Sequence, residues 1–208
     1  MKRPPDIQHI LQLISSLIVP MYYIHRDIVP PKRSPLREND AEHSWALALL
    51  ACALAPQINP KLDIGKVAQF AIVHDVVEVY SGDVSAMDSQ AANSSERKIR
   101  EAAALERIQS DFSYMPWIAE TIKEYESFSS EEACFVYALD KFMPVAYDYL
   151  DGGEYARHCH TTREVYQYHM IPHHKKAQRH PVVGRYYDEV RALLDAQPDH
   201  FYDPENIV

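Results

Sequence analysis

Hydrophobic and polar residues alternate along most of this chain at the spacing of α-helices. Near the amino terminus, apolar residues recur every three or four positions and polar residues fill the opposite face, which predicts an amphipathic helix. The apolar positions of that helix are Ile7, Ile10, Leu11, Ile14, Leu17 and Ile18. A second helix is predicted from Asn39 to about Ala55, because Asn39 and Glu42 are spaced for a capping box. Its long run of small and medium apolar residues predicts that protein nearly surrounds it.

The same reasoning predicts helices along the rest of the chain. One begins after the capping residue Asp63 and continues through an apolar run into His74 and Asp75. The proline-rich segment 21–36 and the polar segment 81–93 are predicted to be loops. Further helices are predicted over residues 96–111, 117–128, 131–150, 162–178 and 182–195. We therefore expect an all-α fold.

Composition and charge narrow the class of protein. With 208 residues, 47% hydrophobic and 25% charged, the chain is typical of one globular domain. Its formal charge of −9 argues against a broad nucleic-acid-binding face, although a small phosphorylated ligand remains compatible. The three cysteines form no CxxC pair, and no apolar stretch is long enough to span a bilayer. We expect a cytoplasmic protein without a membrane segment.

The most distinctive chemistry lies in the segment His74-Asp75-Val76-Val77-Glu78, which closes an apolar run. If the helix continues through it, the first and last of these residues share a face at i and i+4. The middle carboxylate then lies about 100° further round the helix. This spacing predicts that His74 and Asp75 hold one ion while Glu78 stands beside it.

Two distant residues are candidate partners for this segment. His43 begins the second predicted helix, where a histidine taken alone is more often structural than a ligand. Asp140 is a carboxylate among apolar residues, so it must be paired, protonated or bound to a metal. Its neighbour Lys141 is expected to point elsewhere on the helix. Together with His74 and Asp75, these residues form a set of imidazoles and carboxylates suited to Mn²⁺, Co²⁺, Fe²⁺ or Zn²⁺.

Three stretches carry a family resemblance: Arg37-Glu-Asn-Asp-Ala-Glu-His43-Ser, His74-Asp75-Val-Val-Glu78 with Gly82-Asp83, and Ala138-Leu-Asp140-Lys. Together they closely resemble the HD-domain metal-dependent phosphohydrolases, in the branch that includes the 5′-deoxynucleotidases and related small HD hydrolases. The resemblance covers roughly residues 5–155 and implies an HD-domain helical bundle. We expect a single HD domain over residues 1–208, with residues 156–208 as a helical extension.

The resemblance also implies roles for particular residues. One divalent metal ion would be held by His43, His74, Asp75 and Asp140. Glu78 and Asp83 match acidic residues that lie beside the reacting water and the leaving group. A divalent ion activates water for attack on phosphorus, so the implied reaction releases phosphate from a (deoxy)nucleoside 5′-monophosphate or a similar small phosphomonoester. Similar proteins form homodimers.

The chain departs from the deoxynucleotidase pattern in one place. Those enzymes carry an Arg-Trp pair before the first histidine, used around the substrate, whereas this chain has no tryptophan before Trp45. Arg26 or Arg33 could replace that arginine, and Arg37 could contact phosphate or brace Glu38. These three arginines are the candidate substrate-binding residues.

Two alternatives to a nucleotidase stay open. The first is a phosphohydrolase or phosphodiesterase of the same fold that acts on a substrate other than a nucleotide. The second is a binding or regulatory module that keeps the metal and catalyses nothing. Glu78 and Asp83 disfavour the second alternative, because a protein without catalysis does not need acid–base groups beside its metal ligands.

Overall fold

The computed structural model of the protein describes residues 4–82 and 95–205. Across these ranges the regular structure is helical and no strand occurs, which confirms the all-α prediction. One isolated antiparallel bridge pairs His25 with Asn39. In the same ranges, every helix is too short or too polar to cross a bilayer.

The chain divides into two compact units. The first unit contains residues 4–26, 39–82 and 95–133, and the second contains residues 27–38 and 134–205. The single domain expected over residues 1–208 stays a prediction.

The first unit is built from short and medium helices. A π-helical turn, Ile14–Ile18, joins its first two helices, and the predicted loop at 81–93 lies mostly outside the described residues. Within the described residues, the α-helices of this unit are α1 (Ile7–Leu13), α2 (Val19–Met21), α3 (Asp40–Ile58), α4 (Ile64–Val73), α5 (Glu78–Ser81), α6 (Ser95–Asp111) and α7 (Trp117–Ser127).

The predicted capping box at the start of α3 is confirmed. The side chain of Asn39 accepts a hydrogen bond from the backbone N–H of Glu42 at 2.9 Å, and the Glu42 carboxylate accepts one from the backbone N–H of Asn39 at 3.2 Å. These bonds satisfy donors that an uncapped helix leaves open. The capping box therefore fixes the first turn of α3, which carries Asp40 and His43.

The structure differs in two helices from the expected burial of apolar residues. The prediction that α3 is nearly surrounded fails, because Trp45 is 70% exposed and Leu49 is 58% exposed. The amphipathic helix predicted over residues 7–18 is helical but changes to π-helical geometry at Ile14, and of its apolar residues Leu17 is buried whereas Ile7 is exposed. Spacing identifies a face that can be buried, but a packing partner decides whether burial occurs.

The core of the first unit supports the segment around His74. Helix α4 packs against α3 and α7, and α5 packs against α6. Apolar burial of this kind is the main favourable contribution to folding. One buried hydrophobic cluster of this core contains Leu17, Met21, Val73, Val76, Val77, Ala104, Ile108, Phe112, Ile118, Ala119 and Ile122.

The second unit contains the C-terminal helices. Helix α8 (Glu131–Leu150) supplies residues 134–150 of this unit, and α10 (Arg163–Ala177) packs against α11 (Pro181–Asp195). The helices predicted at 162–178 and 182–195 are confirmed as α10 (Arg163–Ala177) and α11 (Pro181–Asp195). The short helix α9 (Glu154–His158) and a 3₁₀ turn at Pro198–His200 were not predicted.

Candidate metal centre

The first turn of α3 places two functional side chains in the interior of the first unit. Asp40 is 0% exposed and His43 is 1% exposed. The backbone N–H of Asp40 donates to the carbonyl of Ile24 at 3.1 Å, which joins the segment before α3 to its first turn. Two polar side chains are thus held inside the protein at a fixed point on one helix.

Helix α4 does not continue through the His-Asp segment, and the prediction of one helix there is wrong. It ends at Val73, after which Val76 donates to the carbonyl of Val73 at 3.1 Å and Glu78 donates to that of Asp75 at 2.9 Å. These bonds span three residues, which is the tighter geometry of a 3₁₀ turn. The i and i+4 spacing of His74 and Glu78 therefore does not describe their relative positions.

The His74 side chain has a defined orientation at this helix end. Its Nδ1 atom lies 2.9 Å from the carbonyl oxygen of Ala71. A carbonyl oxygen only accepts hydrogen bonds, so Nδ1 is the donor. In a continuing α-helix the same carbonyl would accept from the N–H of Asp75. The hydrogen bond therefore directs Nε2 to the other side, where it lies 2.8 Å from Oδ2 of Asp75.

Three predicted ligands come together in the first unit. One potential ligand atom from each of His43, His74 and Asp75 lies within 4.8 Å of the corresponding atoms of the other two, and all three residues are buried. The two imidazole rings have centroids 5.3 Å apart. Two imidazole nitrogens and a carboxylate oxygen suit a first-row divalent cation. A histidine that donates its second N–H to a backbone carbonyl is common at such sites, so these residues fit a metal ion.

Asp75 also belongs to a second buried group that the sequence reasoning missed in part. Asp40, Asp75 and Glu78 each contribute a carboxylate oxygen within 4.8 Å of the others. Glu78 was predicted beside the metal ligands, whereas Asp40 was assigned only to the capping segment. Its position three residues before His43 is a signal that could have identified it, because residues i and i+3 share a helix face.

Arg26 lies at this carboxylate group. Its Nη1 atom is hydrogen-bonded to Oδ2 of Asp75 and lies 3.6 Å from Oδ1 of Asp40. The Arg26 side chain is 15% exposed. Arg26, one of the predicted substrate-binding arginines, therefore contacts two carboxylates of the candidate centre.

The fourth predicted ligand, Asp140, belongs to the second unit. It is 3% exposed, and its Oδ2 atom lies 2.6 Å from Nζ of Lys141. The expectation that Lys141 points elsewhere is wrong, because its long flexible side chain lets the ammonium reach the preceding carboxylate. The assignment of Asp140 as a ligand stays a prediction.

The remaining predicted site residues are placed as follows. Arg37 contacts Asp27 of the second unit, with Nη2 of the arginine 3.2 Å from Oδ1 of the carboxylate. Arg33 is half-buried in the same unit, and Asp83 lies outside the described residues. Glu38 is 2% exposed. The pKa of Tyr147 is raised to about 12, mainly because the Tyr147 hydroxyl is partly buried and secondly because the negative charge of Glu38 lies nearby.

Comparisons with known proteins show which proteins this chain resembles. Over a 72-residue stretch the chain is 35% identical to a dATP triphosphohydrolase of Salmonella phage PMBT28, and that stretch covers 31% of the chain and 36% of the phage protein. A crystal structure described as a predicted metal-dependent phosphohydrolase from Magnetospirillum magnetotacticum MS-1 is 25% identical, with a TM-score of 0.72 over 95% of this chain and 98% of that one.

A conserved hypothetical protein from Pyrococcus furiosus shares the fold, with 22% identity and a TM-score of 0.62 over 90% of this chain and 99% of that one. The profile of the HD domain family matches residues 23–179. This range includes His43, His74, Asp75 and Asp140, the residues on which the resemblance was recognised. The predicted resemblance to the HD-domain phosphohydrolases is confirmed at the level of the family, and the chain belongs to the HD domain family.

Proposed function

We propose that this protein is a metal-dependent phosphohydrolase that releases phosphate from a (deoxy)nucleoside 5′-monophosphate or a similar small phosphomonoester. The observation that carries the proposal is the buried group formed by His43, His74 and Asp75, whose potential ligand atoms lie within 4.8 Å of one another. Two imidazole nitrogens and a carboxylate oxygen this close together form a ligand set that first-row divalent cations prefer, so this group suits a bound metal.

The residues that would hold the ion are His43, His74 and Asp75, with Asp140 as the proposed fourth ligand. When bound, a divalent ion supplies Lewis-acid chemistry, lowering the pKa of a bound water and polarising a phosphoryl oxygen. The chain's own contribution is orientation: the bond from Nδ1 of His74 to Ala71 fixes the ring so that Nε2 is available toward Asp75. The metal's identity among Mn²⁺, Co²⁺, Fe²⁺ and Zn²⁺ stays open.

Glu78 is the proposed acid–base residue within the described part of the site. It is 6% exposed and its carboxylate is grouped with those of Asp40 and Asp75. A carboxylate in this position can accept a proton from the attacking water or give one to the leaving ribose oxygen. On the basis of the family resemblance, Asp83 is proposed as a second acid–base residue, and the two roles are not apportioned between Glu78 and Asp83.

An arginine from the segment before His43 is proposed to contact the substrate phosphate. Arg26, Arg33 and Arg37 are the candidates, because a guanidinium binds phosphate through paired hydrogen bonds. The contact between Arg26 and Asp75 supports Arg26 most directly. The pairing of Arg37 with Asp27 supports a bracing role for Arg37.

A second candidate function is hydrolysis of a deoxynucleoside triphosphate. It is favoured by the 35% identity to the phage dATP triphosphohydrolase over 72 residues. Both reactions attack phosphorus with water and use the same kind of centre. They differ in the phosphorus attacked and therefore in the product.

One assay separates these functions. The purified protein is incubated with Mn²⁺ or Co²⁺ and either deoxynucleoside monophosphates or dATP, and the products are resolved by ³¹P NMR. Orthophosphate from a monophosphate supports the nucleotidase, and tripolyphosphate from dATP supports the triphosphohydrolase. Turnover of a generic phosphate ester but of no nucleotide would favour the non-nucleotide alternative. Absence of turnover in metal-loaded protein would contradict an enzymatic function.

The assembly and cellular location stay predictions. We expect a homodimer, which light scattering coupled to gel filtration would test. We expect a cytoplasmic protein, which cell fractionation would test.

A further inference from the structure

The guanidinium of Arg26 lies inside a group of buried carboxylates. It is hydrogen-bonded to Asp75 and is 3.6 Å from Oδ1 of Asp40. Asp40, Asp75 and Glu78 are 0%, 8% and 6% exposed and have oxygens within 4.8 Å of one another. A concentration of buried negative charge is costly unless positive charge accompanies it. Arg26 supplies this positive charge from the protein itself.

This carboxylate group has the composition of a cation site. Oxygen ligands from three carboxylates suit Mn²⁺ or Mg²⁺. Asp75 is shared with the group formed by His43 and His74. A carboxylate shared in this way is able to bridge two ions, as two-metal hydrolytic sites require. The same group would therefore accept a second divalent ion if the arginine were not there.

The backbone holds Arg26 at this position. Its neighbour His25 forms a bridge with Asn39, and the N–H of Asp40 donates to the carbonyl of Ile24 at 3.1 Å. These contacts tie the residues immediately before Arg26 to the first turn of α3. These backbone contacts therefore hold the guanidinium beside Asp40 and Asp75. A guanidinium keeps its positive charge throughout the physiological pH range.

We propose that Arg26 acts as a built-in cation that occupies the carboxylate side of the centre and limits it to one divalent ion. The inference rests on the proposed function in that the first ion is the one held with His43 and His74. A divalent ion and a guanidinium compete for the same oxygens of Asp40 and Asp75. Arg26 is in this respect a positioning residue, which sets the number of ions that the centre can hold.

The number of bound ions tests the proposal directly. Wild-type protein, Arg26→Met and Arg26→Lys are titrated with Mn²⁺ by calorimetry, and the ions retained per chain are counted by mass spectrometry. Arg97→Met is the matched control, because Arg97 pairs with the carboxylate of Glu101 on α6, and neither residue belongs to the candidate centre. We expect one ion per chain in wild type, Arg26→Lys and Arg97→Met, and two in Arg26→Met.

A double variant identifies where the second ion binds. Arg26→Met combined with Asp40→Asn should return the count from two ions to one, since Asp40 belongs to the carboxylate group alone. Circular dichroism establishes that each variant is folded, and Arg26→Gln replaces Arg26→Met if the latter does not fold. One ion in a folded Arg26→Met or Arg26→Gln protein overturns the proposal, as do two ions in wild type. No ion in wild type overturns the metal centre itself and with it the proposed function.

Discussion

The Nδ1 atom of His74 lies 2.9 Å from the carbonyl oxygen of Ala71, so the side chain takes an acceptor that the backbone of a longer helix would use. Helix α4 ends at Val73, directly before this histidine. The same bond sets the direction of Nε2 toward Asp75. One hydrogen bond thus marks the end of the helix and orients a proposed metal ligand.

Asp75→Ala is expected to abolish both metal binding and phosphate release. Asp75 belongs to both groups of potential ligands, so its loss removes a donor from each. Changes to residues that only support metal ligands cost about 10- to 100-fold, and we expect loss of a ligand to cost at least as much. Bound metal and phosphate release are measured on the same preparation. Asp188→Ala, at a more exposed position, is the control, and full activity of Asp75→Ala would refute the site.

Glu78→Gln is expected to keep the metal and lose turnover. The amide has nearly the same shape as the carboxylate but cannot take up a proton, and general acid–base catalysis typically contributes about 10²- to 10⁴-fold. Steady-state kinetics should show the loss in kcat, with one ion per chain retained. The exposed Glu120→Gln on α7 serves as a control. Unchanged kcat in Glu78→Gln would remove Glu78 from the mechanism.

Arg37→Met is expected to change KM by less than about fivefold. Its side chain is 53% exposed and pairs with Asp27, and exposed pairs of this kind contribute about 0–1 kcal/mol. Kinetics with the best substrate would measure the change, with Arg33→Met assayed in parallel. An increase in KM of tenfold or more, at constant kcat, would instead identify Arg37 as the phosphate contact.

Asp148 is expected to make the second unit less stable as pH rises. Burial raises its pKa from the ordinary 3.8 to about 7, opposed by a hydrogen bond from the Tyr166 hydroxyl at 2.7 Å. Between pH 4 and 7 the folded state binds more protons than the unfolded state, so the free energy of unfolding falls as pH rises. The loss is on the order of a few kcal/mol.

Urea denaturation at pH 5 and pH 8 would measure this loss. Other groups also titrate in this range, so the informative quantity is the difference between wild type and Asp148→Asn. Wild type should lose more stability than Asp148→Asn between the two pH values. Tyr166→Phe should enlarge the loss, because it removes a hydrogen bond that favours the carboxylate. Equal losses in wild type and Asp148→Asn would contradict the prediction.

The sequence by itself determined the helical class, most of the helix boundaries and three grouped residues of the candidate centre, His43, His74 and Asp75. Helical periodicity and capping residues act over one or two turns, so they can be recognised without the fold, as the capping box of Asn39 and Glu42 illustrates. The ligand types were also recognisable, because a histidine or carboxylate within an apolar run requires a partner.

Only the tertiary structure decided how these residues meet. It ended α4 at Val73, placed Asp40 in the carboxylate group and brought Arg26 onto Asp75. It also left Trp45 exposed where the sequence predicted burial. The physical reason is that burial and ion pairing depend on residues far apart in the chain, here 49 positions for Arg26 and Asp75. Local patterns specify the elements, and packing between them decides which charges share the interior.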